Sequence, residues 1–407
     1  MTGTKMRPIG ATIPLDEARA IIERTILPLA RAERVPLFDG NGRVLAQDIV
    51  STGNVPPFSR AGMDGYAVRS ADTTGASKDT PRTLRCLEQV FTGQMPTQTV
   101  TNGTCSEIAT GAPMPAGADA VVMVEDTLRD ASGVVTVYAA VAPKQNVGLE
   151  GADIRAGQTV LRAGDVLNAS RVGAIAALGI DAVEVYARPR VAILSTGNEI
   201  VEPGQPLAPG QIYDINKFTL AAVFAEHGAV PVLYRTAVDT LEDLSRAVDE
   251  CLREDVLVFS GGSSVGERDL ILDVIAARGR VLFHGIALKP GKPTAFGVID
   301  GKPVFGMPGY PTSCLTNGYI LVVPALRTMA RLSPQILRRV TLPLGQRIVS
   351  APGRRQIYTV RIAGGQALPA FKASGDITSM SQADGYIDIP AETDVLEAGT
   401  SVEVTLF

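Results

Sequence analysis

The chain has 407 residues, of which 45% are hydrophobic and 20% charged, and its formal net charge is −4. This length exceeds one ordinary hydrophobic core, so about two to four domains or subdomains are expected. The chain carries no basic tail or stripe, which argues against nucleic-acid binding. No apolar stretch reaches the roughly 20 residues of a membrane span, and the first residues lack the apolar core of a secretory signal. We therefore expect a soluble, cytoplasmic protein.

The cysteines and histidines exclude several kinds of site. The four cysteines are scattered in neither a zinc nor a disulfide pattern, which predicts reduced thiols. They are Cys86, Cys105, Cys251 and Cys314. With only two histidines, His227 and His284, a histidine-rich metal centre is excluded, and structural roles are expected for both.

The N-terminal part of the chain begins with a helical pattern and continues with β patterns. Apolar spacing predicts a helix from Leu15 to Arg34. Short apolar runs between Gly, Pro and Asp turns predict mainly β structure from about residue 67 to 138. A further helix is predicted from Ser170 to Leu178, with Ser170 as its N-cap.

From Arg190 onward, predicted strands and helices alternate. The strands are Val191 to Leu194, Val230 to Tyr234 and Val256 to Phe259, and the helices are Asn216 to His227, Leu241 to Arg253, Leu270 to Arg278 and Thr312 to Met329. This alternation predicts a doubly wound parallel sheet, which binds ligands at the carboxyl ends of its strands. The tail, from about residue 341, returns to short strands and predicts a small β domain.

These patterns predict a multidomain fold that combines α/β and β domains. Residues 1–50 and 145–187 are expected to form a discontinuous N-terminal subdomain, and residues 51–144 a β-rich inserted module. Residues 188–333 are expected to form the doubly wound α/β domain, and residues 334–407 the C-terminal β domain.

A glycine-rich loop follows the strand that ends at Phe259. It runs from Ser260 to Asp269 and contains Gly261, Gly262 and Gly266. A strand that leads through glycines into a helix predicts an anion site, because free N–H groups and the helix dipole converge there. The spacing of the glycines fits neither a P-loop nor a dinucleotide-binding loop. We therefore reject NTPase and nicotinamide-dependent dehydrogenase activity as functions of this protein.

A second loop carries positive charge on a stiff frame. Lys289 and Lys292 flank Pro290-Gly291, and Pro293 follows. Such lysines are suited to a phosphate or another oxyanion. The segment Pro308-Gly309-Tyr310-Pro311 lies shortly downstream.

Three carboxylates, Glu199, Asp239 and Asp269, lie near the ends of predicted strands. Oxygen ligands converging at one sheet edge suit Mg²⁺. Helix capping is the alternative, and for Asp239 it is equally plausible. Asp64, in the turn Met63-Asp64-Gly65, reads as structural from the residues alone.

Long motifs throughout the chain make it similar to the molybdopterin molybdenumtransferases, the bacterial MoeA and gephyrin E-domain family. In addition to the two loops, they are Pro56-Pro57-Phe58, Ala61-Gly62-Met63-Asp64-Gly65-Tyr66-Ala67-Val68, Thr110-Gly111-Ala112-Pro113-Met114-Pro115, Ala118-Asp119-Ala120-Val121-Val122 with Glu125, Gly151-Ala152-Asp153-Ile154, Ser195-Thr196-Gly197-Asn198-Glu199 and Gly210-Gln211-Ile212-Tyr213-Asp214.

The resemblance implies a homodimer whose active cleft lies between the doubly wound, molybdopterin-binding domain of one protomer and the β-rich module of the other. It also implies a reaction in which adenylylated molybdopterin and molybdate, or tungstate, bind and Mg²⁺-dependent cleavage releases AMP. Molybdenum is then left on the pterin dithiolene. A transient contact with the adenylyltransferase that supplies the substrate is a further implication.

The resemblance also implies roles for individual residues and overturns the structural interpretation of Asp64. The implied catalytic residues are Asp64, Asp269, Lys289 and Lys292. The implied substrate-binding residues are Thr110, Asp153, Gly261, Gly262, Ser263, Gly266, Pro308, Pro311, Ser313 and Arg355. The implied metal ligands are Glu199, Asp239 and Asp269.

The sequence departs from the family pattern at three places. Tyr310 stands where an asparagine is commoner, Asn198 stands where an acid is usual, and Ser59-Arg60-Ala61-Gly62 replaces a more acidic or amide-bearing stretch. These departures bear on metal affinity and on the choice between molybdate and tungstate. Two other functions stay open: a molybdopterin adenylyltransferase, and a non-enzymatic carrier or scaffold that binds the finished cofactor.

Overall fold

The computed structural model describes residues 11–237, 240–261 and 270–407. They form two compact units. One contains the described residues up to Glu33, residues 42–44 and residues from Val185 to Phe407; the other contains residues 34–41 and 45–184. Within the described ranges, no helix combines the length and apolar character that a bilayer crossing requires.

The helices of the described chain are short, and two of them are joined by a π turn over Gly318–Val322. They are α1 (Leu15–Thr25), α2 (Ala169–Ala177), α3 (Asn216–Glu226), α4 (Leu241–Cys251), α5 (Leu270–Arg278), α6 (Pro311–Asn317), α7 (Val323–Met329) and α8 (Thr378–Ser381).

The strands fall into three groups along the chain. The first group is β1 (Ala32–Pro36), β2 (Ile49–Val50), β3 (Arg60–Ala61), β4 (Gly65–Val68), β5 (Arg82–Val90), β6 (Thr104–Ile108), β7 (Ala120–Met123), β8 (Thr127–Arg129), β9 (Val134–Val137), β10 (Val147–Gly148), β11 (Thr159–Leu161) and β12 (Ala182–Tyr186). The second is β13 (Arg190–Ser195), β14 (Ile200–Val201), β15 (Ile212–Tyr213), β16 (Val230–Leu233), β17 (Val256–Ser260), β18 (Gly279–His284), β19 (Leu288–Lys289), β20 (Ala295–Ile299) and β21 (Lys302–Met307). The third is β22 (Arg339–Pro343), β23 (Ile348–Val349), β24 (Arg355–Ala363), β25 (Gln366–Pro369), β26 (Gly385–Ile389), β27 (Val395–Leu396) and β28 (Ser401–Leu406).

The doubly wound α/β domain is built on a six-stranded sheet in the order β16-β13-β17-β21-β20-β18. The first four strands are mutually parallel, which confirms the predicted doubly wound sheet. Strands β20 and β18 extend it in antiparallel fashion, so the sheet is mixed, and the alternation of strands and helices did not predict them.

Alternate residues of β13 enter two separate hydrophobic cores. Val191 and Ile193 pack in the core that also contains residues of α1, α3 and α7. Ala192 and Leu194 pack in the core beneath α4 and α5. Because both faces of the strand are covered by helices, its sequence is a continuous apolar run rather than an alternating one.

Three features of the predicted helices were wrong. Helix α1 ends at Thr25 instead of reaching Arg34, because Pro28 cannot donate an intrahelical hydrogen bond and disfavours helical backbone before it. Helix α2 is capped by Asn168, whose side chain accepts a hydrogen bond from Arg171 N, and not by Ser170. The helix predicted from Thr312 to Met329 is interrupted by the π turn, just before a proline at the start of α7.

The predicted β regions are both present. Strands between Gly65 and Val137 form a six-stranded sheet in the order β7-β4-β6-β5-β9-β8. The C-terminal strands form another, in the order β19-β24-β26-β28-β22, with β25 paired to β24. The exact boundaries of the four predicted domains stay predictions.

The cysteines are free thiols, as their spacing predicted. Burial raises the pKa of the Cys105, Cys251 and Cys314 thiols to about 12. These side chains are therefore unreactive at neutral pH, because the thiolate is the nucleophilic form.

Candidate functional site

Gly261 and Gly309 lie next to each other at the carboxyl end of the parallel sheet. Gly261 follows β17, and Gly309 lies just after β21, which pairs with β17 in parallel. A Cβ atom added to Gly309 would lie 3.6 Å from the Cα of Gly261. The structure therefore brings together two segments that lie far apart in the sequence.

Gly261 also touches the loop that follows β13. Its φ is +108°, a left-handed conformation that favours glycine. A Cβ atom at this position would lie only 2.2 Å from the carbonyl oxygen of Thr196. The ends of three parallel strands thus converge here with no room for a side chain at Gly261.

Several buried polar atoms at this junction lack a hydrogen-bond partner among the described residues. They are Ser195 Oγ, Thr196 Oγ1 and Asn216 Oδ1. Ser195 is 3% exposed and Thr196 is 2% exposed. Buried polar groups are nearly always paired, so such atoms indicate a place where water or a ligand group completes the bonding.

The Glu199 side chain lies on the same loop and is exposed. Its two carboxylate oxygens lie 2.8 and 2.9 Å from the position that a Cβ atom of Gly197 would occupy. The residue at 197 must therefore be small for this carboxylate to fold back over the turn. Among the described residues, no three His, Cys, Asp or Glu side chains cluster as a metal site would require.

Several predicted site residues lie outside the described part of the chain, including two of the three predicted metal ligands. They are Asp239, Gly262, Ser263, Gly266 and Asp269. Their predicted roles stay predictions.

The loop that carries the two lysines is held by the C-terminal β domain and by α6. Strand β19 contains Lys289 and pairs in parallel with β24. Asn317, the last residue of α6, donates from Nδ2 to Gly291 O at 3.1 Å and to Thr294 Oγ1 at 2.5 Å. A Cβ atom on Gly291 would lie 2.4 Å from Asn317 Nδ2, so this contact also requires glycine.

The lysines themselves are half-buried. Of the carboxylates that the structure describes, none lies within 4.0 Å of the ammonium group of Lys289 or Lys292. Two such cations on a rigid frame are available to an anionic ligand. The lysine loop contacts the C-terminal end of α6, whereas Gly309 precedes its N-terminal end, and these ends are roughly 9 Å apart by helical rise.

Three further predicted residues have well-defined environments. Pro311 begins α6, Ser313 is buried within that helix, and Pro308 is buried before it. Tyr310, one of the three departures from the family pattern, is 66% exposed, and its ring lies near Gly375.

Arg355 is already engaged by carboxylates. It donates to both Asp388 oxygens at 2.7 Å and to Asp16 at 3.0 and 3.1 Å. The bonds to Asp388 raise the pKa of the guanidinium above its ordinary value. Its role in binding an oxyanion stays a prediction, with two internal carboxylates as competitors.

In the other unit, Asp64 and Thr110 are in direct contact. Asp64 Oδ1 accepts hydrogen bonds from Thr110 N at 2.6 Å and from Thr110 Oγ1 at 2.8 Å. These bonds hold the pKa of the Asp64 carboxyl below its ordinary value. Asp153 lies in a separate exposed turn, where its N–H donates to Val55 O at 3.1 Å.

The roles of the polar residues that begin helix α3 were not predicted from the sequence. Asn216 donates from Nδ2 to Ser260 Oγ and to Gly309 O, both at 2.8 Å. Lys217 is 1% exposed, lies 3.3 Å from Asp214, and also pairs with Glu202. An Asn-Lys pair within the first turn of an otherwise apolar helix was the available signal.

Comparison with known proteins covers nearly the whole chain. Family models match as "MoeA N-terminal region (domain I and II)" over residues 13–179, as "Probable molybdopterin binding domain" over 192–328, and as "MoeA C-terminal region (domain IV)" over 341–407.

Curated relatives and solved structures agree with these matches. A molybdopterin molybdenumtransferase 2 of Mycobacterium tuberculosis is 33% identical over 395 residues, covering 94% of this chain and 97% of the relative. A molybdopterin molybdenumtransferase of Staphylococcus aureus is 30% identical over 405 residues, covering 97% and 95%. The crystal structure of a molybdopterin biosynthesis MoeA protein from Pyrococcus horikosii is 41% identical, covers 97% of this chain and 99% of its own, and superposes with a TM-score of 0.84. The chain therefore belongs to the molybdopterin molybdenumtransferase (MoeA) family, whose members are transferases of molybdenum cofactor biosynthesis.

Proposed function

We propose that this protein inserts molybdenum from molybdate into adenylylated molybdopterin and releases AMP in an Mg²⁺-dependent reaction. The observation that carries the proposal is the junction of Gly261, Gly309 and Thr196 at the carboxyl end of the sheet. Ligands of doubly wound sheets bind at that edge. Family membership supplies the class of reaction.

The glycine junction suits the phosphate part of the substrate. Glycines let a ligand approach the backbone closely, so that free N–H groups can bind phosphate oxygens. The unpartnered hydroxyl groups of Ser195 and Thr196 add donors at the same strand end. The pyrophosphate linkage of adenylylated molybdopterin is the matching chemical group.

The lysine loop suits the oxyanion. Lys289 and Lys292 would bind molybdate, or the terminal phosphate, as point charges on a loop fixed by Asn317. Pro290 and Pro293 limit the freedom of that loop, so less entropy is lost when the anion binds. Whether molybdate or tungstate is preferred would be read from the KM of each anion.

Magnesium is proposed to bind near the ends of the strands. The exposed Glu199 carboxylate is a hard oxygen ligand of the type that Mg²⁺ prefers, and Asp239 and Asp269 would complete the set. When bound, the ion would neutralise negative charge on the phosphates as AMP departs. The protein side chains would orient the substrate and exclude water from the pterin dithiolene.

The Asp64–Thr110 pair would contribute the other wall of the cleft, from the second protomer of a homodimer. The ionised carboxylate, fixed by two hydrogen bonds, would act on the bound substrate as a charged group of set orientation. We further propose a cytoplasmic location and a transient contact with the adenylyltransferase that supplies the substrate.

The decisive experiment incubates the purified protein with adenylylated molybdopterin, molybdate and Mg²⁺, and measures AMP by chromatography. Release of AMP that requires both molybdate and Mg²⁺ is expected. No AMP release under these conditions would refute the proposal. An adenylyltransferase would instead release pyrophosphate from ATP and molybdopterin, which a parallel assay detects.

The variant Asp269→Ala separates a transferase from a carrier. A transferase should lose AMP release, whereas a carrier should still deliver preformed cofactor to an apoenzyme. Lys78→Ala, at an exposed position that is not a proposed site residue, is the matched control and should behave as the wild type.

Mixing two inactive variants tests the shared cleft. Asp64→Ala and Asp269→Ala would each inactivate a different wall, so a mixed dimer has one intact cleft. After random subunit exchange, about a quarter of the wild-type activity should return. No recovery, in samples shown by light scattering to be dimers that exchange subunits, would mean that each cleft is built from one chain.

A further inference from the structure

The side chain of Asn216 connects two loops that lie apart in the sequence. Asn216 is the first residue of α3 and is 8% exposed. Its Nδ2 donates to Ser260 Oγ at 2.8 Å and to Gly309 O at 2.8 Å. Because a carbonyl oxygen only accepts hydrogen bonds, the NH₂ group must face Gly309, and the orientation of the amide is fixed.

The two acceptors belong to the two halves of the glycine junction. Ser260 is the last residue of β17 and immediately precedes Gly261, while Gly309 follows β21 and precedes α6. The amide group therefore bridges the two segments at or just beyond Ser260 and Met307, the last paired residues of β17 and β21. A carboxylate of the same shape could not replace it, because it has no hydrogen to donate.

The helix that carries Asn216 is itself anchored at this point. The neighbouring Lys217 is buried with Asp214, and its Nζ lies 3.3 Å from Thr236 Oγ1. Thr236 follows β16, and the next residue, Ala237, forms a bridge with Thr196. The first turn of α3 thus has bonds to the last residue of β17 and to the segments after β16 and β21, and it is a fixed support for the Asn216 side chain.

We propose that Asn216 is a positioning residue that holds Ser260, Gly261 and Gly309 in the relative placement needed by the substrate. This role rests on the proposed function, because it matters only if the junction binds the reacting molecule. Misplacement of a binding loop by about 1 Å lowers a catalysed rate by roughly a hundredfold.

A fluorescence reporter tests the placement without any activity assay. The chain contains no tryptophan, and Tyr310 is exposed beside Gly309. Tyr310→Trp therefore introduces the chain's single tryptophan, whose emission can be excited selectively over that of the remaining tyrosines. Adding Asn216→Asp removes the bond to Gly309 O and sets a negative oxygen against it, while the Ser260 hydroxyl can still donate to the new carboxylate. Acrylamide quenching of this tryptophan should then increase and its fluorescence anisotropy should fall, because the loop around Gly309 is more mobile.

Kinetics and a stability control complete the test. In the natural background, Asn216→Asp should lower kcat for AMP release by roughly a hundredfold. The control is Val248→Ala, in the core beneath α4, which lowers stability without a bond to either loop. It should leave kcat, KM and quenching close to those of the parent.

The outcomes are distinct. If Asn216→Asp matches Val248→Ala in quenching and in kcat, the positioning role is wrong. If Asn216→Asp does not fold, Ser260→Ala removes one of the two bonds with a smaller change, and it should give a partial increase in quenching; an unchanged loop would overturn the proposal. If the wild type releases no AMP, the proposed function fails, and quenching alone decides the role of Asn216.

Discussion

Thr110 makes two hydrogen bonds to one oxygen of Asp64, from its backbone N at 2.6 Å and from its Oγ1 at 2.8 Å. The pair spans 46 positions of sequence and fixes an exposed carboxylate in one orientation. The bonds favour the charged form, which is why the pKa of the carboxyl is lowered.

Removal of the hydroxyl should raise this pKa. In Thr110→Val the backbone bond remains and the side-chain bond is lost, so the pKa of Asp64 should move up toward its ordinary value of 3.8. A depressed carboxyl pKa contributes stability at pH values above the unfolded pKa, and this stability is lost as the pH falls through the folded pKa. Carbon NMR titration of the Asp64 carboxyl measures the shift. Thr110→Ser, which keeps both donors, should leave the pKa unchanged.

A side chain at Gly261 should destabilise the protein. Gly261→Ala forces a Cβ atom to within 2.2 Å of Thr196 O at a φ of +108°. The strain should lower the free energy of unfolding by about 1–3 kcal/mol. The control is Gly173→Ala in helix α2, where a Cβ atom meets no other atom within 4 Å. This change should stabilise by about 0.5–1 kcal/mol. Urea unfolding measures the free energy of unfolding of both variants. If the two substitutions change it equally, Gly261 is not as closely packed against Thr196 as the structure indicates.

Loss of the buried Lys217 charge should be costly. Lys217→Met leaves the Asp214 carboxylate buried and unpaired, since both side chains are 2% exposed. The free energy of unfolding should fall by about 3–5 kcal/mol. Arg246→Met breaks an exposed pair with Glu242 and should cost less than about 1 kcal/mol. Thermal and chemical unfolding measure the loss of stability in both variants. If Lys217→Met leaves the free energy of unfolding nearly unchanged, the predicted cost of an unpaired Asp214 is wrong.

Loss of Lys292 should weaken anion binding more than folding. A hydrogen bond to a charged group contributes about 1.5–3 kcal/mol, so Lys292→Ala should raise the KM for molybdate by roughly 10- to 100-fold. The unfolding midpoint should change little, because no described carboxylate pairs with the ammonium group. Steady-state AMP release at varied molybdate measures KM, with Lys78→Ala as the control. An unchanged KM would remove Lys292 from the oxyanion site.

Periodicity predicted the α/β domain well because its strands are buried on both faces. The run Val191 to Leu194 is apolar at every position, and each of those side chains is buried in one of two cores. Helix ends were predicted less well. Pro28 ended α1 early, and Asn168 capped α2 in place of Ser170, because local backbone chemistry and not apolar spacing decides where a helix begins or ends.

Of the candidate site, glycines and lysines were recognisable in the sequence, since their backbone freedom and charge are properties of the residue types. The roles of Asn216 and Asn317 were not, because an asparagine reads as a surface or capping residue until its partners are known. Each donates to the carbonyl of a loop glycine, Gly309 and Gly291 respectively. The first contact joins residues that are 93 positions apart in the sequence, and the second joins residues that are 26 positions apart.

The sequence by itself therefore determined the family, the doubly wound sheet and the chemical types at its edge, all of which depend on residue identity and short-range order. Only the tertiary structure decided that Gly261 touches Gly309, that Asn216 joins their loops, and that Arg355 is engaged by Asp16 and Asp388. The physical reason is that hydrogen bonds and ion pairs depend on distances of about 3 Å. Such distances are fixed by packing between segments far apart in the chain.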